Sequence, residues 1–206
     1  VSEQYFACEP AAAHRQGTVH VILPDLHLAL GTDSGVFSPR RLDPGTRLLL
    51  DVAPPPPAAG NHLDLGCGYG PLALTIAARA PAARVWAVDV NTRALALTGA
   101  NAARAGLANV RCALPDDGGL PRQFDLIWSN PPVRIGKTAL HSLLTGWLDR
   151  LAPAAAAYLV MQRNLGSDSL QRWLSESGWT AERAAARSGY RVLKVTGTRR
   201  LSGAAR

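Results

Sequence analysis

At 206 residues the chain is long enough for one hydrophobic core with a small extension and too short for several domains. Its 22 lysines and arginines exceed its 15 acids, giving a net charge of +7 that suits a polyanionic partner such as nucleic acid. No run approaches the roughly 20 apolar residues of a membrane span, and no basic region followed by an apolar stretch marks a secretory signal, so a soluble, cytoplasmic protein is expected.

Residues 1–17 show no clear period. Thr18–Leu23 alternates like a strand, Pro24-Asp25 makes a turn, and Leu26–Leu30 reads as the hairpin partner. His14, His20 and His27 have neither helix-pair nor finger spacing, and no metal site is expected. Gly31–Ser38 is loop chemistry, followed by a short helix from Pro44 to Val52. The run Pro54–Pro57 is a stiff, extended spacer and a seam. The expected organisation is therefore an N-terminal extension over 1–57 and a main domain over 58–206, packed as one unit.

Beyond Asn61, strands alternate with helices, which predicts a parallel sheet covered on both faces. The strands are His62–Leu65, Arg84–Asp89, Val110–Ala113, Phe124–Ser129 and Ala155–Gln162. The helices are Leu72–Ala80, Thr92–Ala105, Thr138–Leu151 and Ser169–Ser177, and Thr180–Arg187 with Tyr190–Gly197 closes as a hairpin. The three cysteines, Cys8, Cys67 and Cys112, are scattered and odd in number, as expected for structural or incidental thiols in a reducing compartment.

Three stretches carry chemistry. Asp64-Leu65-Gly66-Cys67-Gly68-Tyr69-Gly70-Pro71 joins a strand to a helix. Its Gly-x-Gly-x-Gly spacing differs from the dinucleotide fingerprint, an acid precedes the first glycine by two, and no phosphate-cradling Lys or Ser/Thr follows. Such a loop suits a cationic, phosphate-free ligand. The next strand ends at Asp89-Val90-Asn91, where a carboxylate can accept both hydroxyls of a ribose. Finally, Phe124–Ser129 runs into Asn130-Pro131-Pro132. Two prolines stop a strand, and Pro131 keeps Asn130 out of the helical region, so its amide stands beyond the carboxyl edge of the sheet.

With these residues in place, the chain resembles the S-adenosylmethionine (SAM)-dependent methyltransferases of the Rossmann-like class. Within them it is most similar to the small-domain group that methylates guanine N2 in ribosomal RNA. The resemblance runs from about Thr18 to about Thr198 and rests on Asp64–Pro71, Asp89 and Asn130–Lys137, with Gln162–Asn164 and Gly189–Leu193 less specific. It implies a seven-stranded, mostly parallel sheet with helices on both faces and a closing antiparallel hairpin, beside an N-terminal hairpin and helix. Some relatives carry two copies of this domain, and this chain has room for one.

The resemblance implies Asp64 at the methionine end of the cofactor, with Gly66, Cys67, Gly68 and Gly70 beneath it. It also implies Asp89 and Val90 at the ribose, and Asp116 or Asp117 near the adenine amine. Methyl transfer is a displacement in which the cofactor brings both the methyl and the leaving group, so the protein positions and polarises. An exocyclic amine is a weak nucleophile because its lone pair is delocalised. Two acceptors, the Asn130 side-chain oxygen and the Pro131 carbonyl, with Pro132 fixing the turn, can free that lone pair. No general base is needed.

Many Asn-Pro-Pro enzymes place Tyr or Phe next, to stack on the flipped base, whereas Val133 stands here. The stacking surface is lost or comes from elsewhere, such as Phe37 or an arginine plane. Arg134, Lys137, Gln162 and Arg163 suit the substrate side, and Arg40 and Arg41 can reach the mouth. The expected partner is RNA, as ribosomal RNA or a ribosomal particle. A protein glutamine amide, adenine N6, a non-catalytic RNA-binding factor that retains SAM and, at the margin, a nicotinamide oxidoreductase stay open as alternatives.

Overall fold

The computed structural model describes residues 12–197, so Cys8 lies outside the described residues. Strands β1 (Gly17–Leu23) and β2 (Leu26–Thr32) form the expected hairpin, in which Val19 faces Leu30 and Val21 faces Leu28. Alternate residues are buried, so one face of the ribbon is apolar and covered. Helix α1 (Pro44–Val52) starts where Asp43 accepts from Thr46 N and Pro44 occupies the first turn. It stops at Ala53, whose extended backbone (ψ 139°) is what the following proline requires.

The main sheet contains β3 (Ala59–Leu65), β4 (Ala82–Val88), β5 (Val110–Ala113), β6 (Phe124–Ser129), β7 (Leu151–Gln162), β8 (Thr180–Arg187) and β9 (Tyr190–Thr196). Their order across the sheet is β5-β4-β3-β6-β7-β9-β8, parallel through the first five and antiparallel at β9 and β8. Connecting helices are α2 (Pro71–Arg79), α3 (Thr92–Arg104), α4 (Lys137–Leu148) and α5 (Ser167–Glu176). This is a Rossmann-like α/β sheet with a C-terminal antiparallel hairpin. The chain works outward from β3 through β4 to β5 and then returns to place β6 on the other side of β3. The gap between β3 and β6 is the topological switch point, where ligands of open α/β sheets bind.

Strict alternation along the central strands sends side chains to two cores. One face holds Leu126 and Trp128 of β6 with Tyr158 and Val160 of β7, covered by α1, α2, part of α3 and the N-terminal hairpin. The other holds Leu63, Leu65, Ile127, Ala157 and Leu159, covered by α4 and α5. The N-terminal hairpin and α1 thus share a core with the sheet. Buried Asn101 of α3 secures the hairpin further. Its Nδ2 donates to Gly31 O and Tyr69 O (both 2.9 Å), and its Oδ1 accepts from Gly31 N at 2.7 Å.

Several boundaries differ from the sequence reading. The stretch ending at Leu151 divides: α4 stops at Leu148, and Leu151 opens β7 opposite Phe124. The strand then passes an irregularity at Pro153 and Ala154 (φ 64°) before regaining register at Ala156. Strand β3 starts at Ala59, three residues earlier than His62, because Ala59 to Asn61 pair with β4 and Asn61 N donates to Asp125 Oδ2 at 2.8 Å. Among the described residues no helix is long and apolar enough to cross a membrane.

Replacing Asn101 with Ala strands the buried backbone groups of Gly31 and Tyr69. Urea unfolding should show a loss of about 2–4 kcal/mol, the cost of leaving two or three such groups unpaired. A midpoint equal to the parent's would show that the hairpin is held by apolar packing alone.

Candidate active site

Five strands deliver their last residues to one edge. Register pairs Leu65 with Ser129, and the buried Ser129 hydroxyl donates to Leu65 O at 2.7 Å, so β3 and β6 end side by side. Beyond them lies a cavity of about 520 Å³.

The glycine loop folds back over the end of β4. Val88 O accepts from Gly66 N (2.8 Å) and Cys67 N (3.0 Å), and Thr98 of α3 donates to Gly68 O at 3.0 Å. Gly70 caps α2 with φ 94°, and a Cβ there would meet Leu74 Cδ1 at 2.6 Å and Thr98 at 3.0 Å, so only glycine fits. Cys67 is buried, with its sulfur 3.7 Å from both Thr98 Oγ1 and Gly68 O. Burial pushes its thiol up, as do the charges of Asp89 and Asp64, which keeps it inert.

Asp64 is 0% exposed. Its Oδ2 accepts from Ala73 N at 2.8 Å, while Oδ1 has no hydrogen-bond partner. Burial pushes the carboxyl up to about 8, against the Ala73 bond and with a small contribution from the charge of Asp89. A side pocket of about 30 Å³ reaches this carboxyl and shares Gly66, Gly68 and Asn130 with the main cavity. That volume accepts one small polar group. A buried carboxylate oxygen without a donor, beside a pocket of that size, fits a cation such as an ammonium.

Asp89 follows β4 directly. Its Oδ2 accepts from Gly68 N (2.9 Å) and its Oδ1 from Asn91 N (3.0 Å), so it is rigidly held at the cavity. Burial raises its carboxyl, tempered by the backbone donors of Asn91, Gly68 and Val90. Val88, Val90, Ala94 and Pro115 add an apolar wall to the same cavity. Asp116 and Asp117 lie outside the lining, and Asp117 accepts from Gly119 N at 2.7 Å within its own turn.

The third corner is Asn130-Pro131-Pro132. Asn130 Nδ2 donates to Asp43 Oδ2 (2.8 Å) and Thr46 Oγ1 (3.0 Å), both at the start of α1. Pro132, at φ −75° and ψ 72°, is the centre of an inverse γ-turn closed by Val133 N donating to Pro131 O at 2.8 Å. The Pro131 carbonyl therefore has one lone pair engaged within the chain and one left for a ligand.

Past this corner the lining turns apolar and aromatic, with Phe37 (48% exposed), Val133, Leu143, Met161, Leu165 and Tyr190, joined by Arg134 and Gln162. Lys137 begins α4 and Arg163 sits in a short 3-10 turn (Arg163–Leu165); both are exposed and outside the lining, as are Arg40 and Arg41. The sequence reading counted Tyr190 within the Gly189–Leu193 stretch but gave it no place in the site, where the closing hairpin sets it opposite Gln162. It also missed Asp43, whose Asp-Pro signal announces a helix cap but not a second partner 87 residues away.

The sequence model of the methyltransferase small domain family matches residues 27–194. The chain belongs to this family. It is 31% identical to the uncharacterized protein YbxB of Bacillus subtilis (strain 168) over 198 residues, 95% of this chain and 98% of that protein. It is 41% identical to the ribosomal RNA small subunit methyltransferase C of Pseudomonas entomophila (strain L48) over 102 residues, 50% of this chain and 30% of that one. Against the same enzyme of Pseudomonas aeruginosa (strain LESB58), identity is 36% over 142 residues, 67% of this chain and 42% of the relative. Among solved structures, a T. thermophilus 16S rRNA N2 methyltransferase in complex with AdoMet and guanosine superposes with a TM-score of 0.73 at 22% identity, over 90% of this chain and 51% of that one. The chain thus spans about half or less of the length of these ribosomal RNA methyltransferases.

The cofactor is S-adenosylmethionine, and the residues present fit it. The orphaned Asp64 oxygen suits its ammonium, Asp89 its ribose, and the apolar wall its adenine. An ammonium at Asp64 favours the carboxylate, so uptake below about pH 8 should displace a proton from this raised acid. SAM affinity should then strengthen by up to about tenfold per pH unit as pH rises from about 6 to about 8. In Asp64→Asn it should be weaker and flat. Calorimetry in buffers of different ionisation enthalpy measures both affinity and proton release. A parent affinity that ignores pH would show that Asp64 does not meet the cofactor's charge.

Proposed function

We propose that the chain transfers the methyl group of SAM to an exocyclic amine of a nucleobase, guanine N2 in small-subunit ribosomal RNA. The observation that carries this reading is the pair of acceptors at the end of β6. Asn130 has both amide hydrogens engaged, so its oxygen is what it offers, and it sits next to the Pro131 carbonyl at a cavity wall. Two acceptors match the two N–H groups of an NH2, and drawing on both moves the nitrogen toward the tetrahedral geometry of attack. Such preorganised polar groups act without reorganising during the reaction.

In this reading Asp64 holds the ammonium of SAM, Asp89 the ribose hydroxyls, and Gly66 to Gly70 the turn beneath the methionine. Phe37 supplies the flat surface that Val133 does not, since it lines the cavity and is half exposed at its mouth. Met161, Leu143 and Tyr190 complete a wall suited to a heterocycle, and Arg134, which lines the same cavity, supports contact with a neighbouring phosphate or base. The net charge of +7 supports RNA as the partner, naked or within a ribosomal particle. Further support comes from the relatives named for small-subunit ribosomal RNA and from the similar fold solved with guanosine.

Asn130→Ala removes one acceptor and leaves the glycine loop and Asp89 untouched. SAM affinity should stay near that of the parent, while methyl transfer to small-subunit ribosomal RNA falls by about a hundredfold or more, as for other lost transition-state contacts. Turnover close to the parent rate would reduce the Asn-Pro-Pro corner to a strand terminator and remove this reading.

A further inference from the structure

An amide side chain can present either its oxygen or its NH2 to a ligand, and only one of these serves a target amine. At Asn130 the choice is made from outside the sheet. Asp43 is buried at the start of α1, and its Oδ2 accepts twice, from Thr46 N at 2.9 Å and from Asn130 Nδ2 at 2.8 Å. Thr46 Oγ1 takes the second amide hydrogen at 3.0 Å. Turning the amide over would set its oxygen against the Asp43 carboxylate, two acceptors with no proton between them, and would lose both bonds. The low dielectric of the site makes that mismatch costly.

Local packing keeps the carboxylate in place. Gly45 follows the cap, and a Cβ there would come within 2.9 Å of Asp43 Oδ2 and 2.7 Å of the Tyr190 ring. A larger residue would displace either the carboxylate or the aromatic wall. Helix α1 itself rests on β7 and β9, which bring Met161 and Tyr190 to the same cavity.

We infer that Asp43, assisted by Thr46, is a positioning residue that holds the Asn130 amide oxygen toward the substrate, so that the N-terminal segment sets the preference for an NH2 nucleophile. This rests on the reading of Asn130 as an acceptor for the target amine. It assigns to the first helix a part in catalysis besides its packing. The acceptor is aimed before substrate arrives, and a misplacement of about 1 Å at such a group can cost about a hundredfold in rate.

The test compares three variants with the parent. Asp43→Ser retains a helix cap but is too short to reach Asn130. Asp43→Asn retains an oxygen that can accept from both donors. Thr46→Ala leaves the cap intact and removes one acceptor. Expected for Asp43→Ser is a kcat for ribosomal RNA methylation down by at least about tenfold, with SAM affinity and melting temperature near the parent's. Asp43→Asn should recover most of that loss, and Thr46→Ala should fall between.

A second readout needs no RNA: the side-chain amide of Asn130, seen by NMR in asparagine-labelled protein. Its two protons should exchange slowly in the parent and Asp43→Asn, and faster in Asp43→Ser. A parent that methylates no RNA would sink the functional reading while the amide signal still decides the orientation. Unchanged exchange, or a parental kcat in Asp43→Ser, would overturn the proposal. So would a loss of kcat matched by lost SAM affinity or melting temperature, since Asp43 would then serve α1 alone.

Discussion

The adjacency of β3 and β6 governs the rest of the site. Parallel strands end at the same edge, and here the buried hydroxyl of Ser129 bonds the carbonyl of Leu65 where the two strands stop. From that tie the chain leaves in two directions. One branch is the glycine loop, folded back onto Val88 O, and the other is the proline turn. In the proposed reading, a cofactor on the first branch and an amine on the second are therefore neighbours by construction. Displacement at a methyl group asks for little more than that proximity and the right polarity around it.

Much of this arrangement was readable from residue order because it depends on short-range rules. Gly70 is needed where the backbone is left-handed and crowded by Leu74, and Pro131-Pro132 ends a strand whatever the fold around it. The alternation of β6 sorts Leu126 and Trp128 from Ile127, which is why the sheet and its two covered faces follow from pattern alone. The helix at Pro44–Val52 is announced by Asp43 and Pro44 and ended by Pro54. The break between α4 and β7 was harder, because Leu151 fits either a helix face or a strand and only its pairing with Phe124 settles it.

What the sequence withheld are contacts between segments far apart in the chain. Asp43 meets Asn130 across 87 residues, and Asn101 meets Gly31 across 70. Neither pair leaves a local mark beyond a helix cap and a polar residue on an otherwise small-residue helix. Tyr190 enters the cavity because the antiparallel return of β9 sets it opposite Gln162. Asp116 shows the opposite case: an acid after a strand is a reasonable adenine partner by position, yet Pro115 is the residue that lines the wall. Sequence spacing places a loop on an edge; it does not say which of its side chains turns inward.

The N-terminal hairpin and α1 consequently have a larger part than a scaffold would need. They share the core of one sheet face, Asn101 clamps the hairpin, and the start of α1 supplies the groups that hold Asn130. The proposed chemistry at an amine is tested most directly by the identity of the methylated atom. Small-subunit ribosomal RNA, naked and as subunits, would be incubated with the protein and SAM, digested to nucleosides and separated by mass spectrometry. N2-methylguanosine is the product predicted. N6-methyladenosine, or a methyl group on a protein glutamine and not on RNA, would keep the amine chemistry and move its target away from guanine, whereas a methyl group on a ring atom or a ribose oxygen would contradict it.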